Sequence, residues 1–244
     1  MNHYVLEVQF TFEGVAKALY PVILQNDQEL ILIDGGYAGF IPLLEAAAHQ
    51  QGLSLQDLTG IIITHHDMDH LGCLFELKEK YPTIKIYSPE MEEPYINGQK
   101  KSLRLQQAES LYESLPEEQK PGAYAFQEML KQIKPVLVDA TFAEGELPFL
   151  PGVRVLKTPG HMPGHISLYL PESKTLIAAD AVVIEKNELE IANPDFTLDL
   201  KEAVKSIKKL QQLDIQKLVC YHGGVLTGDI SQKLDKLIRK YANL

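Results

Sequence analysis

Short apolar runs alternate with segments of helical spacing along the chain, which predicts a mixed α/β fold. Residues 40–51 carry apolar positions at helical spacing and end at Gly52, a residue type that often caps a helix C-terminus. Residues 61–64 form a short β-branched run, which is typical of a strand buried on both faces. Runs of β-branched and aromatic residues bounded by turn signals predict earlier strands over residues 4–10, 17–24 and 29–34.

The rest of the chain repeats the order of strands followed by a helix. After a helix over about residues 71–80 and a strand over 84–87, residues 90–134 have apolar positions at helical spacing, which predicts an insert of helices. Further strands are predicted over 136–138, 141–146, 153–157, 166–170, 175–179 and 217–221, and helices over 198–213 and 229–241, the last with Asp229 as N-cap. We expect one α/β (α+β) domain over residues 1–244, in which two β-sheets lie between outer helices as a four-layer αββα sandwich.

Composition and charge narrow the class of protein. The chain of 244 residues is 45% hydrophobic and 23% charged, and no apolar run approaches the roughly 20 residues of a membrane span. The net charge of −10 disfavours nucleic acid as a partner, because an acidic surface repels phosphate backbones. The N-terminus shows no basic-then-apolar signal sequence, and Cys73 and Cys220 suit reduced, buried thiols. We therefore expect a cytoplasmic protein that acts on a small molecule.

A cluster of possible metal ligands follows directly after the strand predicted over residues 61–64. It consists of His65, Asp67, Asp69 and His70. Alternate residues of an extended segment point the same way, so His65 and Asp67 are expected to face one metal, and Asp69 and His70 a second. Imidazole and carboxylate suit zinc, iron or manganese. The alternative is a polar loop in which Asp69 caps the next helix, but the density of ligands favours a metal site.

Four segments together resemble the signature motifs of the metallo-β-lactamase superfamily. Residues 64–70 are similar to its His-x-His-x-Asp-His motif, and residues 158–165 to its Thr-Pro-Gly-His-x-x-Gly-His segment. The other matches are the early strand and turn at residues 32–36, the strand-end Asp180 and the late His222 with the glycines after it.

The resemblance implies two divalent metal ions, with zinc first on family grounds. It assigns His65, Asp67 and His161 to one ion, and Asp69, His70 and His222 to the other, with Asp180 and a water or hydroxide between them. In the family's mechanism the hydroxide attacks a carbonyl or phosphoryl centre, and Asp69 and Asp180 serve as catalytic residues. Asp34 is expected to brace the metal loop, residues 64–70, by hydrogen bonds. His165 is expected either to orient a ligand or to pack under the turn.

Asp67 is the one departure, because the family usually has a second histidine at this position. Three carboxylates and one hydroxide would then balance the charge of two divalent ions. A cluster without net positive charge makes the bridging water less acidic, and the extra carboxylate adds an oxygen donor to the ligand set. Manganese or iron therefore stays open beside zinc, and so does a single-metal site. Asp67 could also be non-ligating, with His66 in its place.

The size of the chain and the absence of a long tail after His222 favour a compact hydrolase that cleaves a lactone, ester or thioester. Two alternatives from other classes are an iron-dependent oxidoreductase of the same fold and a non-catalytic metal-binding protein. A homodimer is possible, since the helical insert could form either a lid or a dimer surface.

Overall fold

The computed structural model describes residues 1–12 and 14–242. Its helices are α1 (Ile41–Gln50), α2 (Met68–Leu71), α3 (Leu74–Lys80), α4 (Glu93–Ile96), α5 (Leu103–Tyr112), α6 (Lys120–Lys131), α7 (Leu200–Gln211) and α8 (Ile230–Lys240), with a short 3-10 turn at Leu55–Asp57. Its strands are β1 (Asn2–Val5), β2 (Val8–Phe12), β3 (Val15–Leu19), β4 (Val22–Gln25), β5 (Leu30–Ile33), β6 (Gly60–Ile62), β7 (Lys85–Pro89), β8 (Ala140–Phe142), β9 (Gly145–Leu147), β10 (Leu150–Lys157), β11 (Ile166–Leu170), β12 (Thr175–Ala179), β13 (Val183–Glu185), β14 (Glu188–Glu190), β15 (Lys217–Cys220) and β16 (Gly224–Thr227).

Two six-stranded sheets form the centre of the fold. The first has the order β1-β4-β5-β6-β7-β8, and the second β16-β15-β12-β11-β10-β9. Strands β5, β6, β7 and β8 run parallel in the first sheet, and β12 runs parallel to β15 in the second. Strands β2 and β3, and likewise β13 and β14, form separate two-stranded ribbons.

Three apolar cores separate four layers. One core packs helices such as α1 and α3 against the first sheet, for example through Leu44 and Ile61. A second lies between the sheets, where Ile33 and Val219 take part. The third packs α7 and α8 on the second sheet and includes Leu234. Because a sheet needs an apolar partner on each buried face, this order gives the αββα sandwich expected from the sequence, and the predicted fold class is confirmed.

The carboxyl ends of parallel strands in both sheets lead into the polar segments singled out by sequence. Strand β5 ends just before Asp34, and β6 is followed within three residues by His65. In the second sheet, Asp180 follows β12 directly and His222 lies just after β15. Crevices at the carboxyl ends of strands are the usual ligand sites of open α/β sheets.

Helices α4, α5 and α6 lie within residues 90–134, where the sequence predicts a helical insert. They stand between β7 and β8 in the chain, and α5 packs against α6. Within the described part of the chain, no helix has the length and apolar character needed to cross a bilayer.

Several predicted elements are wrong in detail. The strand predicted over residues 136–138 does not form; instead, the backbone N–H of Val136 bonds the carbonyl of Ile96 in the insert. The strand predicted over residues 17–24 is two strands, β3 and β4. They are separated near Pro21, which has no N–H to donate to a strand ladder. The helix predicted over residues 71–80 is two helices, α2 and α3. Asp229 stands at the N-cap of α8 as predicted, but it has a left-handed φ of 46° and its side chain makes no capping bond. Strands β13, β14 and β16 were not predicted.

Candidate metal centre

The segment after β6 changes conformation in the middle of the ligand motif. It is extended as far as Asp67, whose φ and ψ are −78° and 150°, and the short helix α2 begins at Met68. Side chains alternate along the extended part and rotate around the helical part. His65 and Asp67 therefore project together, whereas Asp69 and His70 project in a different direction, as the spacing predicted.

Two clusters of donor atoms lie at this edge of the sandwich. The first cluster is His65, His161 and Asp180, and the second cluster is Asp69, His70 and His222; in each, the donor atoms lie within 4.8 Å of one another. In the second cluster, Asp69 Oδ2 lies 3.1 Å from His222 Nε2 and 3.9 Å from His70 Nε2. Such spacings are those of ligands around a common ion at about 2.0–2.2 Å.

Asp180 stands between the clusters, with one carboxylate oxygen toward each. Its Oδ2 atom lies 3.6 Å from His161 Nε2. Its Oδ1 atom lies 3.4 Å from His70 Nε2 and 3.5 Å from His222 Nε2. One carboxylate can therefore reach a cation in either cluster.

The clusters contain buried polar atoms that a cation would satisfy. His65 Nε2, His70 Nε2 and Asp180 Oδ1 are buried and make no hydrogen bond to other described residues. Leaving such atoms unpaired costs about 1–3 kcal/mol each. Burial lowers the pKa of His222, but the Asp180 and Asp69 carboxylates outweigh it and raise this pKa to about 10. A strongly negative field and imidazole donors together fit a divalent metal.

Asp67 lies against the first cluster but also binds a residue that sequence reasoning missed. Its Oδ2 atom is 2.9 Å from His161 Nε2 and 3.6 Å from His65 Nε2. Arg104, from α5, donates from Nε to Oδ1 at 3.0 Å and from Nη2 to Oδ2 at 2.6 Å. Burial raises the pKa of Asp67, but the contacts with His161 and His65 and the charge of Arg104 hold it well below its usual range.

His66, the alternative ligand, points away from both clusters. Its backbone N–H donates to Glu92 Oε2 at 2.9 Å, and its Nδ1 atom contacts the same oxygen. Its Nε2 atom accepts a hydrogen bond from the backbone N–H of Leu103 at 3.2 Å, and its ring stacks on Tyr95. The hypothesis that His66 replaces Asp67 as a ligand is therefore wrong; His66 ties the metal loop to the insert.

His165 supports the site from below. Its Nε2 atom accepts a hydrogen bond from the backbone N–H of Asp180 at 3.0 Å, and its Nδ1 atom lies 2.8 Å from Thr158 Oγ1. Burial lowers its pKa to about 3. The neutral imidazole holds the backbone of Asp180, which follows Ala179 at a left-handed φ of 48°. Of the two roles left open for His165, it has the orienting one.

The two cysteines take no part in the site. Both are buried and free, as the sequence led us to expect. Cys73 Sγ donates to the carbonyl of Gly35 at 3.0 Å, and burial raises its pKa to about 12. A thiol with that pKa is protonated at neutral pH and is a poor nucleophile.

A pocket of about 380 Å³ opens above the clusters. Asp67, Asp69, Asp180 and His222 form its floor, and Tyr37, Phe126 and Phe196 contribute aromatic walls. Volumes of about 300–1,000 Å³ suit small-molecule ligands.

Comparison with known proteins agrees with this fold and site. The family model described as metallo-beta-lactamase superfamily matches residues 20–222. The chain therefore belongs to the metallo-β-lactamase superfamily, which confirms the resemblance drawn from the four motifs.

Individual relatives are similar over different lengths. The probable metallo-hydrolase YflN of Bacillus subtilis is 28% identical over 235 residues, covering 88% of this chain and 83% of the relative. A hydroxyacylglutathione hydrolase of Xylella fastidiosa is 42% identical over only 67 residues, 28% of this chain and 23% of that protein. A metallo-beta-lactamase family protein of Thermus thermophilus has a TM-score of 0.74 at 24% identity, covering 98% of this chain and 79% of its own, which shows the shared fold.

Proposed function

We propose that this protein is a metal-dependent hydrolase that holds two divalent ions and cleaves a lactone, ester or thioester. His65, Asp67 and His161 would hold the first ion, and Asp69, His70 and His222 the second, with Asp180 shared between them. Zinc is the first candidate for both positions, with manganese and iron as alternatives. The observation that carries the proposal is Asp180, whose two oxygens face the two clusters.

Bound ions would supply a hydroxide nucleophile at neutral pH and polarise the bond to be cleaved. The chain's own residues would orient the reaction. Asp69 lines the pocket, and its backbone carbonyl accepts a hydrogen bond from the Tyr221 hydroxyl at 2.7 Å. Its carboxylate is thus held where it can orient the nucleophile and carry a proton toward the leaving group.

The pocket lining favours an acyl substrate without phosphate. Among the described residues that line it, the lysine and arginine side chains are Lys17 and Arg104. Arg104 already binds Asp67 with two donors. Two bound divalent ions would offset Asp67, Asp69 and Asp180, so the lining would offer a phosphodiester one further cation, Lys17, set against the carboxylate of Glu185.

An apolar groove of about 270 Å³ adjoins the pocket and shares Tyr37 and Met68 with it. Phe10, Phe40 and Met129 also line this groove. An acyl chain could lie there while its carbonyl reaches the clusters, which supports an ester, lactone or thioester of moderate length.

The test combines metal analysis with a hydrolase panel. Protein purified without added metal is analysed for metal identity and stoichiometry, then assayed with lactones, esters, acylglutathione thioesters, phosphodiesters and β-lactams. We expect about two ions per chain and turnover of at least one of the first three classes. Bound iron with oxygen consumption in place of hydrolysis would contradict the proposal, as would a fully metal-loaded protein inactive on every substrate.

Matched variants separate the site from general effects on folding. Asp180→Asn and His161→Ala should each abolish activity and reduce metal content. His49→Ala serves as the histidine control, because His49 is exposed on α1, away from both clusters. If Asp67→Ala left metal content and activity unchanged, the assignment of Asp67 to the first ion would be wrong.

A further inference from the structure

Arg104 is the buried cation that the helical insert brings to the site. Its side chain is only 4% exposed, and it grips both oxygens of Asp67 through Nε and Nη2. Nη2 also lies 3.3 Å from His161 Nε2. A paired, two-point contact of this kind fixes both distance and orientation of a carboxylate.

The remaining donors of Arg104 are already occupied. Nη1 lies 2.5 Å from the carbonyl of Phe196 and 2.5 Å from Gln107 Oε1. The Phe196 ring lies 5.0 Å from the guanidinium carbon. All three nitrogens of Arg104 therefore already have partners within the protein. Arg104 has no free donor for a substrate, so it must act through Asp67.

The charges of the pair cancel at the point where they meet the first cluster. The two histidines of that cluster, His65 and His161, are neutral donors in a metal site, whereas Asp67 adds a full negative charge beside them. Arg104 adds one positive charge that no physiological pH removes. The pair thus carries the same net charge as one neutral imidazole.

We propose that Asp67 and Arg104 act as one electrically neutral unit at the first metal position, with Arg104 as the positioning residue that offsets the charge of the Asp67 carboxylate. The inference rests on the proposed metal sites. It also explains why the insert matters to the site: α5 supplies the charge that lets a carboxylate stand there without weakening the Lewis acidity of the metals.

If Arg104 offsets the charge of Asp67, its loss should raise the affinity for the first ion. If Arg104 only holds Asp67 in place, its loss should lower that affinity. The chelated protein is titrated with Co²⁺, followed by its absorption spectrum and by competition with a chelator. If Arg104 offsets charge, Arg104→Gln leaves a more basic carboxylate and should bind the first Co²⁺ about tenfold more tightly. Arg104→Lys keeps the charge but loses the two-point contact, so it should change Co²⁺ affinity less than Arg104→Gln does.

Swapping the pair gives the decisive comparison. Asp67→His alone leaves Arg104 unpaired beside the first ion and should weaken the binding of that ion by about 10- to 100-fold. The double variant Asp67→His/Arg104→Gln replaces the neutral pair by a neutral imidazole and should recover most of that loss, with a Co²⁺ spectrum shifted toward nitrogen ligation.

A metal-free measurement keeps the inference testable if a variant folds poorly. In urea unfolding of the chelated protein, Arg104→Gln and Asp67→Asn should each lower the midpoint, because each leaves a buried charge unpaired. The double variant Asp67→Asn/Arg104→Gln should unfold at a higher midpoint than either single variant.

Three outcomes would overturn the inference. Weaker Co²⁺ binding in both Arg104 variants, with additive effects in both double variants, would show that Arg104 only positions Asp67. If the wild type binds no Co²⁺, both the proposed function and the inference are wrong. If the wild type binds two Co²⁺ ions but the effects of the substitutions are additive, only the inference is wrong.

Discussion

The Nδ1 atom of His70 lies 2.9 Å from Asp34 Oδ2. The same carboxylate accepts hydrogen bonds from the backbone N–H and the hydroxyl of Thr64, both at 2.8 Å. Asp34 therefore holds two parts of the metal loop at once and leaves His70 Nε2 facing the second cluster. The expectation that Asp34 braces this loop is confirmed.

Replacing Asp34 should weaken the second metal position. Asp34→Asn keeps an oxygen for Thr64 and tolerates the left-handed φ of 61°, but it removes the charge that makes His70 a strong donor. We expect a loss of about 10-fold in affinity for the second ion, measured by chelator competition. Asp34→Ala should lose more and should also unfold at lower denaturant; equal affinities in all three proteins would contradict this role.

Gly160 should tolerate no side chain. Its φ is 137°, and a Cβ there would lie 2.3 Å from the backbone nitrogen of Ala203 in α7. We expect Gly160→Ala to lower the free energy of unfolding by more than about 2 kcal/mol, since backbone strain and overpacking add.

Gly152 is the matched control for Gly160. It has a φ of 88° but no neighbour within 4 Å of the added Cβ. Gly152→Ala should therefore cost only the backbone strain, about 1 kcal/mol. Urea unfolding compares the two variants, and similar losses would show that the contact with α7 is unimportant.

Glu92 should control the start of α5 through His66. Glu92 is fully buried, and its carboxylate contacts both the backbone N–H and Nδ1 of His66. The proton on Nδ1 leaves His66 Nε2 free to accept from Leu103. In Glu92→Gln we expect that bond to weaken and the Leu103 amide to exchange its hydrogen faster.

The amide of Gln106, which bonds the carbonyl of the N-cap residue Ser102, is the internal control for that measurement. Its exchange should change less than that of Leu103. Equal acceleration of both amides would indicate general loosening of α5 rather than loss of the His66 contact.

His165 should make the metal-free protein less stable as the pH falls. Its pKa is about 3 in the folded state because of burial, against about 6.5 in an unfolded chain. Between these values the unfolded chain takes up a proton that the folded protein does not. The contribution of His165 is therefore intact above pH of about 6.5 and is lost progressively toward pH 3.

The matched variant is His165→Gln, which can still accept from the backbone of Asp180 and cannot ionise. Urea unfolding of chelated protein between pH of about 4 and 7 should show a shallower pH dependence in the variant than in the wild type. Parallel curves would mean that His165 ionises with the same pKa in the folded and unfolded states, which would contradict the prediction.

The sequence alone determined the features that depend on local pattern. Strands β11 and β12 have the predicted bounds, because short, mainly apolar runs between turn residues leave little choice. The cluster at residues 65–70 was found from its density of ligand types, and the segments containing His161, Asp180 and His222 were found because they resemble motifs of the superfamily. Their order along the chain was enough to indicate the superfamily.

Only the tertiary structure decided which residues meet around that motif. Arg104 is 37 positions from Asp67, and Glu92 is 26 positions from His66. Nothing in the helical spacing of the insert marks either residue as a partner, because pairing across such a separation depends on how α4 and α5 pack beside the loop. His66 and Asp67 are neighbours in sequence, yet alternation along the extended backbone sends one to the insert and the other to the first cluster.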